Sequence, residues 1–303
     1  MSLLGAHAAH PQEGIPMNSA VDLSRAVTFE GSAGAVAAEI DFLRPTLHRP
    51  YTYGYEPSGQ EPPQTAVFEA HRVPIRSART APRHLSLERH GMALIEHRSS
   101  VRDFYGDGQI TDVYYPEAAA VIGAYTGASR VVVFDHNLRR GLSLPLPKDR
   151  KNQGRPVLHA HTDFTEMSAV RRLRDLLGQE AVDLLRRRVM QVNLWRPIRA
   201  PLRDTPLAIC DASSIGPGCL TAVDLIYPER LGEIYYLTYD PAQRWYYAPD
   251  MRVDEAWIIK NYDSAAVSSA GFAAHSAFTD PTPNIHVLPR ESIEVRAFAL
   301  FDA

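Results

Sequence analysis

The chemistry easiest to name from residue type and spacing lies in Val157-Leu158-His159-Ala160-His161-Thr162-Asp163-Phe164-Thr165, where His161 and Asp163 form the sole His-x-Asp of the chain. On an extended strand, side chains two apart share a face, so this imidazole and carboxylate can grip one metal ion together. His159 falls on that face too and is a candidate for the pocket wall or for supporting a ligand. A 2-His-1-carboxylate set needs one more imidazole, and downstream only His275 and His286 can supply it. His275 opens the plausible strand His275-Ser276-Ala277-Phe278 and leaves Arg290 fifteen residues on. His286 lies between prolines, on an expected loop, and leaves Arg296 ten residues on. Residue spacing alone leaves both open.

Both histidines precede Pro289-Arg290-Glu291-Ser292-Ile293-Glu294-Val295-Arg296, in which Arg290, Ser292 and Arg296 share strand parity. A guanidinium is always charged and its fork matches a carboxylate, so this strand can hold a dicarboxylate, Arg290 with Ser292 at one end and Arg296 at the other. Surface pairing of these arginines with Glu291 or Glu294 is the plainer alternative. A single His-x-Asp is worth little, since 12 His in a chain of this size give about one by chance. The order counts for more: His-x-Asp, a distant His, then Arg predicts a non-haem Fe(II) oxygenase with 2-oxoglutarate as co-substrate and O2 as oxidant. Two neutral imidazoles and one carboxylate leave three adjacent iron positions for those two molecules.

Asn193, Trp195 and Arg196 form a polar and aromatic cluster on an expected strand. They are candidates for the substrate side of the pocket, Trp195 as a wall and Arg196 as the partner of an acidic group. A core tryptophan and a structural ion pair are the alternative. Tyr235-Tyr236 and Tyr246-Tyr247 read as sheet packing.

The elements that must position these groups are mostly strands. Met190 to Trp195, Leu207 to Asp211, Ala222 to Tyr227, Glu233 to Tyr239, Arg244 to Ala248, Ala256 to Asn261 and Ser292 to Phe301 are short apolar or alternating runs separated by turn residues. Earlier strands are expected at Ala66 to Pro74, Met92 to Glu96 and Val131 to His136. Helical spacing predicts helices over Ser32 to Leu43, Tyr115 to Thr126, Ser168 to Leu177 and Glu180 to Arg188. The fold class that follows is mainly β with flanking helices, a double-stranded β-helix of the jelly-roll or cupin kind. Residues 32–303 are expected to form one such domain, with Tyr51, Tyr53 and Tyr55 in an arm wrapped over it. Residues 1–31 are expected to be a disordered extension.

With 303 residues, 45% hydrophobic, the chain can bury a large core. A net charge of −3 and the lack of a basic cluster interleaved with aromatics argue against nucleic acid, and the Arg171-to-Arg174 and Arg186-to-Arg188 runs read as solvated helix faces. Two cysteines, Cys210 and Cys219, cannot make a disulfide framework, and no apolar run is long enough for a membrane span. A cytoplasmic protein acting on a small-molecule substrate is expected, and a homo-oligomer is compatible with the sequence.

From about Ala38 to its end the chain resembles the CmcJ/NvfI-like hydroxylase/desaturase family. The resemblance rests on Arg102-Asp103-Phe104-Tyr105, Tyr114-Tyr115-Pro116-Glu117, Thr126-Gly127-Ala128-Ser129, Val133-Phe134-Asp135-His136, His161-Thr162-Asp163, Asn193-Leu194-Trp195-Arg196-Pro197-Ile198, Gln243-Arg244-Trp245-Tyr246-Tyr247, His275-Ser276-Ala277-Phe278 and Pro289 to Arg296. It implies iron- and 2-oxoglutarate-dependent oxidation of a small molecule, usually in secondary metabolism. It also implies His275 as the distal ligand, because the family's His-[Ser/Thr]-Ala-Phe motif falls there. A methyltransferase finds no Gly-rich loop after a strand to cradle its cofactor. The remaining alternative is a non-catalytic jelly-roll binding or accessory protein of a tailoring complex.

Overall fold

Alternation, not helical spacing, governs the first described element. In Ala35–Leu43 the residues Ala38, Ile40 and Phe42 are buried while Ala37 and Glu39 are exposed, a period of two. This segment is therefore strand β1, not the helix expected over Ser32 to Leu43. Its alanines satisfy either period, and Glu39 and Asp41 flanking Ile40 are the residues that discriminate. The computed structural model describes residues 34–302, apart from 58, 60, 61, 82–84, 107, 148–151, 267–270 and 283–286. The expected extension over 1–31, and His286, lie outside the described residues.

Among the described residues the strands make two sheets. One runs, in spatial order, β1, β3 (Phe68–Ser77), β12 (Trp245–Tyr247), β9 (Leu207–Cys210), β14 (His275–Ala277), β7 (His161–Thr162), β11 (Leu231–Leu237), β10 (Leu220–Ile226) and β2 (Tyr51–Tyr53). The other runs β4 (Met92–Glu96), β13 (Glu255–Asp263), β8 (Val189–Pro197), β15 (Glu291–Leu300), β5 (Arg130–Arg140) and β6 (Gln153–Gly154). Beyond β7 the chain repeatedly crosses between sheets, β8 to β9, β12 to β13 and β14 to β15, as in a jelly roll. In the tyrosine-rich segment, β2 pairs in parallel with β10 and the rings of Tyr51, Tyr53 and Tyr55 make successive edge contacts.

Strand parity divides each sheet into two faces. On the inner face Trp195, Trp257 and Ile259 of the six-stranded sheet meet Leu207, Ile209 and Tyr246 of the nine-stranded one. On the outer face Leu194, Ile258, Ile293 and Val295 pack under α2 (Tyr115–Thr126), which follows the short helix α1 (Leu87–His90) in the chain. Helix α2 has Pro116 in its first turn and stops at Gly127, whose φ of 73° suits a residue without a Cβ. It buries Ala118, Val121 and Ile122, and full burial of an aliphatic side chain stabilises by roughly 1.5 to 3 kcal/mol.

Helix α3 (Glu166–Leu177) starts at Thr165, which exchanges hydrogen bonds with Ser168, and its Leu173 packs with Phe298 and Leu300 at one end of the inner space. Helix α4 (Glu180–Leu184) is shorter than the stretch expected to Arg188. Arg187 and Arg188 turn instead to Asp302 and to Asp263 with Glu88. No helix among the described residues is long and apolar enough to cross a membrane.

A buried ion pair pins the chain after β3 to β13. Arg79 donates through Nη1 and Nη2 to the two carboxylate oxygens of Glu255 at 2.7 and 2.8 Å, and the Glu255 side chain is fully buried. Removing Arg79 takes two charged hydrogen bonds from a buried carboxylate that keeps, among the described residues, only Arg252, 3.2 Å away, as a cation, so Arg79→Ala is expected to cost about 1 to 3 kcal/mol. Urea unfolding followed by far-UV circular dichroism checks it; a loss below about 1 kcal/mol would contradict the assignment.

Candidate metal centre and co-substrate pocket

Strand β7 is only two residues long, yet it is held on both sides. His161 lies opposite Tyr236 of β11 and opposite His275 of β14. Opposed residues of a ladder share a face, which brings the two imidazoles together with ring centroids 4.6 Å apart. Their orientations are set from behind: His161 Nδ1 lies 2.9 Å from the His159 carbonyl and His275 Nδ1 lies 3.3 Å from the Ala273 carbonyl. A proton on each Nδ1 leaves both Nε2 lone pairs free. Asp163 follows directly in the turn before α3, its Oδ1 3.8 Å from His161 Nε2. One donor atom from each of His161, Asp163 and His275 lies within 4.8 Å of the others.

Asp163 is fixed on three sides. Its backbone N–H donates to Asn261 Oδ1 at 3.0 Å, and its Oδ2 accepts from Asn193 Nδ2 at 2.5 Å and from Arg296 Nε at 3.0 Å. Oδ2 is thus occupied and Oδ1 remains for a metal. Burial by itself would raise this carboxyl, but the Arg296 guanidinium, then the two imidazoles, hold it well below the usual carboxylate range. Burial, then the neighbouring His275, pushes His161 well below its ordinary value, so its imidazole is neutral at neutral pH. The donor set fits ferrous iron: two neutral imidazoles and one carboxylate oxygen.

Two β-bulges aim the groups that brace Asp163. On β13 the register with β8 shifts between Lys260 and Tyr262, which makes Asn261 the extra residue. The ladder of β15 and β5 shifts just after Arg296. An extra residue rotates side chains relative to the regular alternation, and here it turns Asn261 toward the metal-ligand turn.

Arg290, Ser292, Glu294 and Arg296 follow the inner face of β15, opposite Trp195 and Asn193 of β8. Arg290 donates from Nε to Ser292 Oγ at 3.0 Å and from Nη1 to the Thr205 carbonyl at 2.6 Å, and its guanidinium stacks 5.2 Å from the Trp195 ring. No carboxylate among the described residues forms an ion pair with it. Burial, then the charge of Arg139, pushes it down to about 9, and Glu294 and Asp204 offset this only in part from beyond ion-pairing distance. Trp195 thus faces inward as expected, but it packs in the inter-sheet core and supports Arg290.

Arg296 departs from its expected place at the second end of the dicarboxylate. Its three nitrogens go to Asp163, Asp135 and Glu294 at 3.0, 3.1 and 3.0 Å, so its charge is already committed to the metal-ligand turn. Glu294 is itself buried, and burial, then Asp163, raises its carboxyl above the usual range.

His159 stays on the face of His161 as expected, its ring stacked on Phe68 at 4.6 Å and edge-on to Tyr236. Burial pushes it down to about 4, so it is a neutral wall whose carbonyl also orients His161. Asn193 faces inward, on Asp163. Arg196 does not: one residue beyond Trp195 it points to the outer face, 3.3 Å from His97 Nδ1 and over the rings of Phe104 and Tyr114. Burial, then the Arg196 charge, pushes His97 down to about 4. Alternation of β8 separates Arg196 from the pocket it was expected to line. Arg196→Ala is therefore expected to leave the ratio of substrate oxidised to succinate formed unchanged, while lowering stability by about 1 to 3 kcal/mol through loss of buried contacts. Product and succinate quantified together, with thermal unfolding, check both halves.

Sequence reasoning missed Asn261, Glu294 and Arg139. The parity of Glu294 with Arg290 and Arg296 was a usable signal. Asn261 gave none, because its orientation depends on the bulge, and Arg139 lies beyond the expected end of β5 at His136.

A family model described as an oxidoreductase/YMDC permease-like domain matches residues 40–300. The Fe(II)/2-oxoglutarate-dependent dioxygenase nvfI of Aspergillus novofumigatus is 34% identical over 233 residues, covering 75% of this chain and 82% of that protein. The hydroxylase/desaturase CTB9 of Cercospora beticola is 32% identical over 256 residues, covering 78% of each. A solved structure of the iron and alpha-ketoglutarate-dependent endoperoxidase NvfI superimposes with a TM-score of 0.81 at 29% identity, over 89% of this chain and 99% of that one. Sequence, fold and the His-Asp-His cluster agree, and the chain belongs to the NvfI/CmcJ-like hydroxylase/desaturase family of Fe(II)- and 2-oxoglutarate-dependent dioxygenases.

Proposed function

We propose that His161, Asp163 and His275 hold the Fe(II) of this dioxygenase, that Arg290 and Ser292 receive the distal carboxylate of 2-oxoglutarate, and that the enzyme hydroxylates, desaturates or cyclises a small molecule of secondary metabolism. One observation carries the reading. Three donor atoms converge while every competing valence beside them is used: both Nδ1 atoms on backbone carbonyls and Oδ2 of Asp163 on Asn193 and Arg296. When bound, iron and co-substrate supply an oxidant able to take hydrogen from an unactivated C–H bond. The chain's own groups bind and orient. Arg290 and Ser292 hold the distal end of the co-substrate, Arg296 keeps Asp163 ionised, and His159 with Phe68 and Tyr236 forms a dry wall beside the ligands.

We place this reaction in the cytoplasm, where a reducing environment keeps iron ferrous and suits the two free, buried cysteines. Under anaerobic conditions, Fe(II) and 2-oxoglutarate added together are expected to bring up a visible charge-transfer band that neither gives alone, and EDTA is expected to abolish it. A protein that binds both molecules without developing the band would overturn the reading and favour a non-catalytic accessory role.

A further inference from the structure

Arg139 is a second inner-face cation that forms no ion pair among the described residues, with Glu294 as the first of the carboxylates that offset its charge from a distance. It lies directly opposite Ser292 in the ladder of β5 and β15, and Ser292 Oγ already accepts from Arg290. Its one hydrogen bond among the described residues runs from Nη1 to the Arg155 carbonyl at 3.3 Å. The contrast with Arg296 on the same face is sharp, since Arg296 takes three carboxylates.

The surroundings hold a space for this guanidinium. On β6, Gly154 pairs with Arg139, and a Cβ at Gly154 would come within 2.5 Å of Arg139 Nη1. Arg155, next in the chain, ties the carbonyls of Gly141 and Leu144 and keeps the connection from β5 close to it. Burial pushes the Arg139 guanidinium down, and the charge of Arg139 in turn lowers Arg290. Two desolvated cations, Arg290 bonded to Ser292 Oγ and Arg139 opposite Ser292 in the ladder, are stabilised by an anion placed between them.

We propose that Arg139 is a second grip on the distal carboxylate of 2-oxoglutarate, so that Arg290, Ser292 and Arg139 together select a dianionic 2-oxo acid over a monoanionic one. The proposal rests on the reading of the site as an Fe(II) and 2-oxoglutarate centre. It gives Gly154 a role as well: the missing side chain leaves Arg139 free to lie against β6.

The test compares 2-oxoglutarate with 2-oxovalerate, a five-carbon 2-oxo acid that lacks the distal carboxylate, in anaerobic titrations of the Fe(II) enzyme read by the charge-transfer band. In Arg139→Gln the affinity for 2-oxoglutarate is expected to fall roughly tenfold or more while that for 2-oxovalerate stays within about twofold, and Arg139→Lys is expected to recover part of the loss. Gly154→Ala, which displaces the guanidinium without removing its charge, is expected to lower the same ratio to a smaller extent. An unchanged ratio in Arg139→Gln would overturn the proposal, and so would equal loss of both acids, which marks a merely structural residue. A wild-type enzyme with no band for either acid would instead overturn the iron and co-substrate reading, and this proposal with it.

Discussion

Alanine at His161, Asp163 or His275 is expected to eliminate succinate formation, with loss well beyond the roughly 10- to 100-fold that removing an outer partner of a metal ligand typically costs. Each residue supplies one of three converging donors, and among the described residues no other His, Cys, Asp or Glu joins the cluster. The fold is expected to survive the His161 change, because among the described residues that side chain makes one short hydrogen bond, to the His159 carbonyl, besides its ring contacts with His159 and His275. Asp163→Ala is the harsher case for stability: it strips a carboxylate from Arg296 and a hydrogen-bond acceptor from Asn193. Circular dichroism and succinate assays on the three variants separate the effects. Activity above about one tenth of wild type in His275→Ala would exclude it as the distal ligand.

Arg290→Gln should produce the second large effect, a loss of 2-oxoglutarate affinity. Truncating one member of a buried charged pair typically costs about 2 to 5 kcal/mol, or roughly 30-fold to several thousandfold in the dissociation constant. The cation is already desolvated and held by Ser292, Thr205 and Trp195, so little ordering is left to do when the anion arrives. Substrate KM should change little, which gives the measurement its discrimination: 2-oxoglutarate dependence rises steeply while substrate dependence stays nearly flat. Equal changes in both would place Arg290 in the substrate pocket instead.

What could be read ahead of the structure followed from periodicity. His161 and Asp163 sit two apart, and the runs at Met92–Glu96 and Tyr115–Thr126 are apolar stretches marked off by Gly91 and by Gly127, so their elements emerge with the expected bounds. Ser32 to Leu43 misled because alanine fits a helix or a strand, and pairing with β3 decided the matter. Arg196 misled for a different reason. It was grouped with Trp195 by adjacency, although neighbours on a strand face opposite ways. Arg296 has the right parity and the right charge, yet Glu294, two residues back on the same face, and Asp135, opposite it only in the folded sheet, join Asp163 in claiming its nitrogens.

The extra residue at Asn261 makes the site sensitive to chain length as well as to residue identity. A substitution there removes one hydrogen bond to the Asp163 backbone. Deletion of Asn261 would leave Lys260 opposite Val192 and Tyr262 opposite Gln191 in an unbroken ladder, so the strand would keep both its faces while the Asp163 turn lost its brace. The sheet itself has no need of the bulge, and a one-residue shortening there should spare the fold while loosening the turn that carries Asp163.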